Sequence, residues 1–410
     1  MTITMTIERL GQQGDGIAQG PVFAPMTLPG EVVQGTLDGN TLKNIRIQTP
    51  SPDRVSAPCP HFKSCGGCQM QHASEDFVAE WKRELVVIAL RSRGLETNVR
   101  ETITSPRMSR RRATIAARRT KKAALAGFYS RQSDAIVQVP DCVLVTPKLR
   151  AGLQISEDFA IAGASRNAAL SITVTESTEG LDVSVNGGKP LAGRLRVALA
   201  ALCEQYYLAR LVWDGELIGQ HAPPRQAMGC AHVVPPPGAF LQATEHGQNT
   251  LVDLVREIVG PAKSIVDLFA GCGTFALPLG ETATVHAVEY SSEMMASLDA
   301  GWRQTQGLKR VTTEARNLFR RPLLPDELTR FEAVVIDPPR AGAAAQVAEL
   351  SKAKVPLIAH VSCNPKTFAR DAETLCKSGY ELEWVQPVDQ FRWSSHVELV
   401  GAFRLFHIAP

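Results

Sequence analysis

No run of apolar residues in this chain of 410 residues approaches the roughly 18 that a membrane helix needs, so no spanning segment is expected. The opening stretch Met1–Arg9 has no basic segment followed by an apolar one, so no secretory leader is expected either. Charge of one sign is also scarce. The formal net charge is only +3, which excludes a uniformly basic coat and requires any nucleic-acid surface to be local. There is no internal repeat and no low-complexity tract. An even disulfide framework is missing too: the nine cysteines are odd in number and unevenly placed. Without a leader, they argue for a reducing cytoplasm in which thiols serve metal binding or catalysis.

What is present is a soluble globular composition, 44% hydrophobic and 21% charged, in a chain too long for one ordinary core. Residues 1–50 read as four short strands, Thr2–Leu10, Gly16–Phe23, Glu31–Leu37 and Thr41–Gln48, broken by turns, which predicts a small barrel. Residues 51–94 form a cysteine-bearing segment that ends in a helix over 76–93, stopped by Gly94. Residues 95–235 read as a mixed α+β domain closed by Pro235–Gly238. From 236 to 410 strand and helix patterns alternate, which predicts an α/β domain with a parallel sheet. Its strands are expected at Ser264–Phe269, Thr284–Glu289, Arg310–Thr313, Ala333–Ile336 and Val355–Ser362, followed by an antiparallel pair, Glu381–Pro387 and Val397–Leu405.

Three loops of this last domain carry chemistry. In Asp267–Phe275, Gly271 and Gly273 follow a strand and open a helix, where the backbone can approach a ligand and free N–H groups are on offer. A dinucleotide fingerprint would place a third glycine where Ala276 stands, and the charge of Asp267 disfavours a pyrophosphate. Both points favour a cationic, amino-acid-bearing cofactor such as S-adenosylmethionine. Glu289, ending the next strand, is placed to accept ribose hydroxyls. In Asp337-Pro-Pro-Arg340 the prolines stiffen the backbone and hold Asp337 in place. In Ser362-Cys-Asn-Pro365 a cysteine stands at a strand's carboxyl end. If the last strand runs antiparallel beside that one, its first residue, Glu398, becomes a neighbour of Cys363. The pairing has a use: uracil C5 is too weak a nucleophile to take a methyl group from a sulfonium until a thiolate adds at C6, and a carboxylate can then remove the C5 proton.

Cys59, Cys65 and Cys68, with Cys142 far downstream, offer four thiolates in a three-plus-one pattern that suits an iron–sulfur cube, with zinc as the alternative. From Arg107 to Arg131 there are nine Lys or Arg and no Asp or Glu. Arg111, Arg112, Arg118 and Arg119 in this stretch are candidate contacts to a phosphate backbone, and Phe240 is placed to pack near an unstacked base.

Over nearly its whole length the chain resembles the bacterial RNA (uracil-5-)-methyltransferases, a class I S-adenosylmethionine-dependent family with a Rossmann-like domain. Cys65-Gly-Gly-Cys-Gln-Met-Gln-His72 is similar to that family's [4Fe–4S] cluster motif, with Cys59 and Cys142 completing it. Phe240-Leu-Gln242 is similar to its Phe-x-Gln motif, which implies that Gln242 lies at cofactor and base. The resemblance implies cofactor contacts at Asp267, Phe269, Gly271, Gly273, Thr274, Glu289, Asn317 and Asp337. It implies a nucleophile at Cys363, a proton-abstracting Glu398 and a catalytic Asp337. Residues 1–50 resemble a TRAM domain, an OB-like RNA-binding barrel, and a TRAM domain with a cluster is typical of the branch acting on 23S ribosomal RNA. The implied partner is therefore RNA, first 23S rRNA, with transfer RNA as the alternative; no membrane is expected, and a cytoplasmic monomer is. Thr244, Asn317 and Arg392 depart from the family pattern, where Asn, Asp and Pro are usual. A non-catalytic RNA-binding iron–sulfur protein would explain barrel, cysteines and basic stretch, but would leave Cys363 and Glu398 without a role.

Overall fold

A computed structural model describes residues 2–406. The first fifty residues form a closed five-stranded barrel of Thr2–Leu10, Gly16–Ala18, Val22–Ala24, Val32–Asp38 and Thr41–Thr49. The long second strand expected over 16–23 is two short strands, because Gly20 turns at a positive φ of 98° between them. The interior is small, with Ile7, Ala18, Val22, Ala24, Val33 and Leu42 buried.

The middle region is a seven-stranded mixed sheet backed by helices Pro147–Gly163 and Gly193–Gln205. The strands Arg112–Arg119 and Leu170–Ser177 pair antiparallel at its centre. Cys59, Cys65, Cys68 and Cys142 sit in the same buried cluster as this sheet's core.

The catalytic half is a nine-stranded sheet. Its parallel part runs in the order Val311–Ala315, Thr284–Glu289, Ser264–Leu268, Ala333–Ile336, Leu357–Ser362. The inner strands Ala333–Ile336 and Leu357–Ser362 are buried on both faces, which is why they read as near-continuous apolar runs rather than alternating ones. The order reverses between Ser264–Leu268 and Ala333–Ile336, the place where open sheets of this kind leave a crevice. Glu398–Leu405 then pairs antiparallel with Leu357–Ser362 and with Tyr380–Asp389.

Two segments lie elsewhere than expected. Helix Glu75–Arg91 packs Val86, Ala89 and Leu90 into the core of the catalytic half, beside Ile358, Phe368 and Leu375. Asn98–Val99 and Ile103–Thr104 add to the outer edge of Tyr380–Asp389. The chain thus visits the catalytic sheet before building the middle sheet. The visit is fastened by one buried ion pair, Lys82 of that helix to Asp389 at 2.6 Å, with side chains 0% and 1% exposed. Lys82 also donates to the Phe391 carbonyl at 3.2 Å.

Removing one partner of such a pair strands a buried charge, so Lys82→Met should cost about 3–5 kcal/mol in chemical denaturation. The double variant Lys82→Met/Asp389→Leu should recover most of that. A single-variant loss below about 1 kcal/mol would show that the pair does not hold the helix to the sheet.

Candidate functional site

The crevice at the strand switch is built from acids. Asp267, fully buried in strand Ser264–Leu268, has neither oxygen accepting a well-formed hydrogen bond, although the Ala276 N–H lies on its side. Burial raises its carboxyl well above the usual range, and the charges of Asp337 and Glu289 add to that. Asp337 keeps part of its surface exposed, yet burial pushes it up to about 7. Glu289 is held by two backbone donors, Gly271 N–H at 3.3 Å and Ser291 N–H at 3.0 Å. Three carboxyl groups converging in low dielectric favour a cation between them.

The turn above Asp267 is tight. Phe269 takes a positive φ of 64°, a strained conformation for a side-chain-bearing residue, and its ring packs on Phe319 at 5.4 Å. Gly273 has a φ of 96°, and a Cβ there would lie 2.9 Å from Leu298. Thr274 is half-buried in the same turn. The helix expected to open here is a single turn, Ala276–Leu279, ended at Gly280, so the loop supplies turn amides rather than a long helix N-terminus. Cys272 packs in the core and is pushed up to about 12 by burial. Asn317 uses its side-chain oxygen to accept from Phe319 N–H at 3.1 Å and Arg320 N–H at 3.2 Å, capping its own turn.

Beside this pocket the strand register brings Cys363 and Glu398 together. Ser362 is paired with Leu399, so the next residue on one strand adjoins the preceding one on the other. Cys363 is half-exposed, and burial together with the charges of Glu398 and Asp337 raises its thiol to about 11, against the pull of Arg340. Glu398 is 4% exposed and is pushed up to about 8 by burial and by Asp337. Asn364 caps helix Pro365–Lys377 and donates to the Arg340 carbonyl at 3.1 Å, which ties the cysteine loop to the Asp337–Arg340 loop. A cavity of about 200 Å³ opens at Cys363, lined by Arg340, Lys366 and His396 and, from the barrel, by Gln12 and Gln13.

The remaining candidates divide. Phe240 is 62% exposed. Arg118 and Arg119 are half-buried at the end of their strand, and Arg112 donates to the Gly238 carbonyl at 3.0 Å. Arg111, expected at a phosphate, is buried: it donates to Gln248 at 2.7 Å and its backbone N–H to Ala243, so it braces the Gln242 loop instead. Arg107 likewise pairs with Glu75 at 2.8 Å. The departures from the family pattern are accounted for by local bonds. Thr244 caps helix Glu245–Val259 through Gly247 N–H at 2.8 Å, and Arg392 pairs with Glu75 at 2.6 Å. Gln12, Gln13 and Gln390 were not legible as site residues, since single amides in loops carry no sequence signal, whereas Asn364 stands within the Ser362–Pro365 motif.

The four cysteines line one small cavity between the cysteine loop and the middle sheet. Among the described residues no three His, Cys, Asp or Glu side chains form a single-ion site. The donor set is nevertheless all sulfur. Burial and the neighbouring thiols raise Cys68 to about 12, so in the absence of a cation it stays a neutral thiol. Arg110 and Arg131 flank these thiols, and Arg131 also donates to the Phe62 carbonyl at 3.2 Å.

A doubly wound sheet with an acidic, glycine-turned pocket at its switch point is the arrangement of a class I methyltransferase. Residues 236–404 match the tRNA (Uracil-5-)-methyltransferase family. An uncharacterized RNA methyltransferase of Rhizobium meliloti is 45% identical over 98% of this chain and 99% of its own length. The 23S rRNA (uracil(1939)-C(5))-methyltransferase RlmD of a Shewanella species is 29% identical over 98% of this chain and 95% of its own. The fold matches the Pyrococcus abyssi tRNA (uracil-54, C5)-methyltransferase, solved with S-adenosyl-L-homocysteine, with a TM-score of 0.77 and 22% identity over 98% of this chain and 99% of that one. The chain belongs to the RNA methyltransferase family of these relatives, and its residues 236–404 match the uracil-5 members of it.

Asp267 carries a testable trade. Its raised carboxyl means that folding favours the protonated form, so its contribution to stability is lost as pH rises through the folded value. Asp267→Asn should therefore leave the ligand-free protein as stable as wild type or more so at pH 8. It should also weaken S-adenosylmethionine binding by at least about tenfold, roughly 1.4 kcal/mol. Titration calorimetry showing unchanged affinity would contradict the role given to the acidic pocket.

Proposed function

We propose that the protein methylates C5 of a uridine in 23S ribosomal RNA through a covalent cysteine adduct. The observation that carries this reading is the strand register that sets Cys363 beside Glu398, next to the acidic cofactor pocket. Asp337, ionised above about pH 7, takes the Cys363 proton. The thiolate adds to uracil C6, and the electron pair moves through C5 to the C4 oxygen as an enolate. S-adenosylmethionine, which the Asp267 turn and Glu289 would hold, would supply the methyl group that C5 takes and would leave as S-adenosylhomocysteine. Glu398 removes the C5 proton, the C6–sulfur bond breaks, and the thiolate leaves. The cation of the donor offsets the converging carboxylates, which lowers their proton affinity and that of the thiol when it binds. Arg340 and Lys366 at the cavity mouth, with Arg112, Arg118 and Arg119 farther off, are assigned to the RNA backbone, and Phe240 to the unstacked base. The 23S assignment draws on the likeness to RlmD.

We also propose that Cys59, Cys65, Cys68 and Cys142 hold a [4Fe–4S] cluster, supported by their convergence on one all-thiol cavity with Arg110 and Arg131 beside it. Such a group supplies a cross-link between the cysteine loop and the middle sheet. Anaerobically purified protein should contain iron and sulfide, and Cys142→Ala should lower both iron content and melting temperature. Stoichiometric zinc without iron would overturn the cluster assignment.

For the reaction, incubation with labelled methyl donor followed by mass mapping of 23S and transfer RNA should find 5-methyluridine in 23S RNA. Cys363→Ala should give no adduct and no methylation. Glu398→Gln should still transfer methyl but accumulate protein–RNA adduct on denaturing gels. Because its base form grows as pH rises, product release by wild type should climb and level off near pH 8. Methylation by Cys363→Ala, or normal turnover by Glu398→Gln, would remove these roles. A product only in transfer RNA would move the substrate while leaving the chemistry.

A further inference from the structure

The connection from Asp389 to Glu398 pivots on one turn. Ser394 N–H donates to the Phe391 carbonyl at 2.9 Å, and Trp393 takes a φ of 60° while Arg392 keeps a negative one. That is a type II turn with Arg392 second and Trp393 third. Proline is favoured at the second place and glycine at the third, so neither residue suits the place it fills. The turn is held from outside instead. Gln69 and Met70 N–H both donate to the Trp393 carbonyl, and the Trp393 ring is buried in the core shared by the cysteine segment and the middle sheet. Glu75, the first residue of its helix, accepts through one oxygen from both Arg107, at 2.8 Å, and Arg392, at 2.6 Å. Both guanidinium groups also lie over the Trp393 ring, 5.3 and 5.4 Å from its centre. Arg392 further donates to the Ser105 carbonyl at 2.9 Å. The residues that follow the turn, Ser395, His396 and Val397, line the cavity at Cys363, and Glu398 comes next. Gln12 and Gln13 of the barrel line the same cavity, and a Cβ on their neighbour Gly14 would lie 2.8 Å from the Met70 sulfur. Two parts of the cavity wall thus lean on the residue that holds Trp393.

We infer that Arg392 is a positioning residue: joined to Glu75 and Arg107 around Trp393, it holds by charge a turn that local preference leaves loose, and so keeps the Ser395–Val397 wall and Glu398 set against Cys363. The step that depends on it is the last one. Glu398 must reach the base carbon while Cys363 is bonded to the adjacent carbon, so a small displacement of its strand end slows proton removal and release. The inference rests on the covalent reading proposed above. The side chains of Arg107 and Glu75 are 50% and 48% exposed, which leaves the clasp open to screening by salt.

The test uses the full-length protein and RNA bearing the mapped target uridine, in single-turnover quench. The readout is the ratio of denaturant-resistant adduct to released product, which is set after the RNA has bound and so does not follow RNA affinity. Arg392→Gln and Glu75→Gln should each raise that ratio about fivefold, the upper scale of a half-exposed charge pair, and should speed hydrogen exchange over 389–398. Wild type in high salt should move the same way. Arg392→Pro puts a rigid residue at the second turn position, so its ratio should match wild type and should no longer respond to salt or to Glu75→Gln. A fall in melting temperature and activity with the ratio unchanged would reduce Arg392 to a structural part and overturn the inference. So would an effect of Glu75→Gln that persists beside Arg392→Pro. Where Arg392→Pro does not fold, the double variant Arg392→Gln/Glu75→Gln decides: its effect should equal that of either single variant, because one pair is lost in each, and full additivity would overturn the clasp. If wild type forms neither adduct nor 5-methyluridine, the covalent reading itself fails. Hydrogen exchange then decides the clasp alone, and exchange over 389–398 that ignores both single variants and salt would sink it.

Discussion

The antiparallel register between Leu357–Ser362 and Glu398–Leu405 is the constraint on which the site depends. Cys363 and Glu398 are 35 positions apart in the chain, and one residue of slip would turn Glu398 to the other face of the sheet. Much of the surrounding structure holds that register. Lys82 clamps Asp389 at the end of the preceding strand, and the amides of Gln69 and Met70, just after Cys68, both donate to the Trp393 carbonyl, at 2.7 and 2.9 Å. The loop from Asp389 to Glu398 is thus gripped by a helix and by the cysteine segment. Whatever stiffens the cysteine segment also stiffens the approach to Glu398.

Electrostatics supplies the second half of the account. Asp267, Asp337 and Glu398 all have their proton affinity raised by burial, and the charge of Asp337 adds to the burden of the other two. Without a cation the pocket resists ionisation, and Cys363 stays a thiol. On the proposed reading, a sulfonium cofactor entering this field would lower the carboxyl groups and the thiol together, so that cofactor binding and activation of Cys363 would be one electrostatic event.

The parts of this arrangement that were legible in the sequence are those with a strong local pattern. A buried parallel strand is a continuous apolar run, so Ala333–Ile336 falls where expected, and an acid within such a run marks Asp267. The Cys363–Glu398 contact followed from strand order rather than from pattern. What was not legible depends on distant partners. Arg111 belongs to a basic stretch, but its neighbours in space are Gln248 and the Gln242 loop, so it is buried rather than offered to phosphate. Helix Glu75–Arg91 shows its amphipathic face in sequence but not which core that face joins. Gln390 is one amide among many until Ala243 and Gln242 are placed around it.

The central claim is that Cys363 bonds to the base before methyl transfer. The most direct measurement is mass spectrometry of the complex formed with methyl donor and 23S RNA transcribed with 5-fluorouridine, digested with protease and nuclease. Fluorine cannot leave C5 as a cation, so the account predicts a stable species in which the peptide bearing Cys363 is joined to a nucleotide carrying both fluorine and a new methyl group. Methylated nucleotide with no attached peptide, or attachment through a residue other than Cys363, would contradict it.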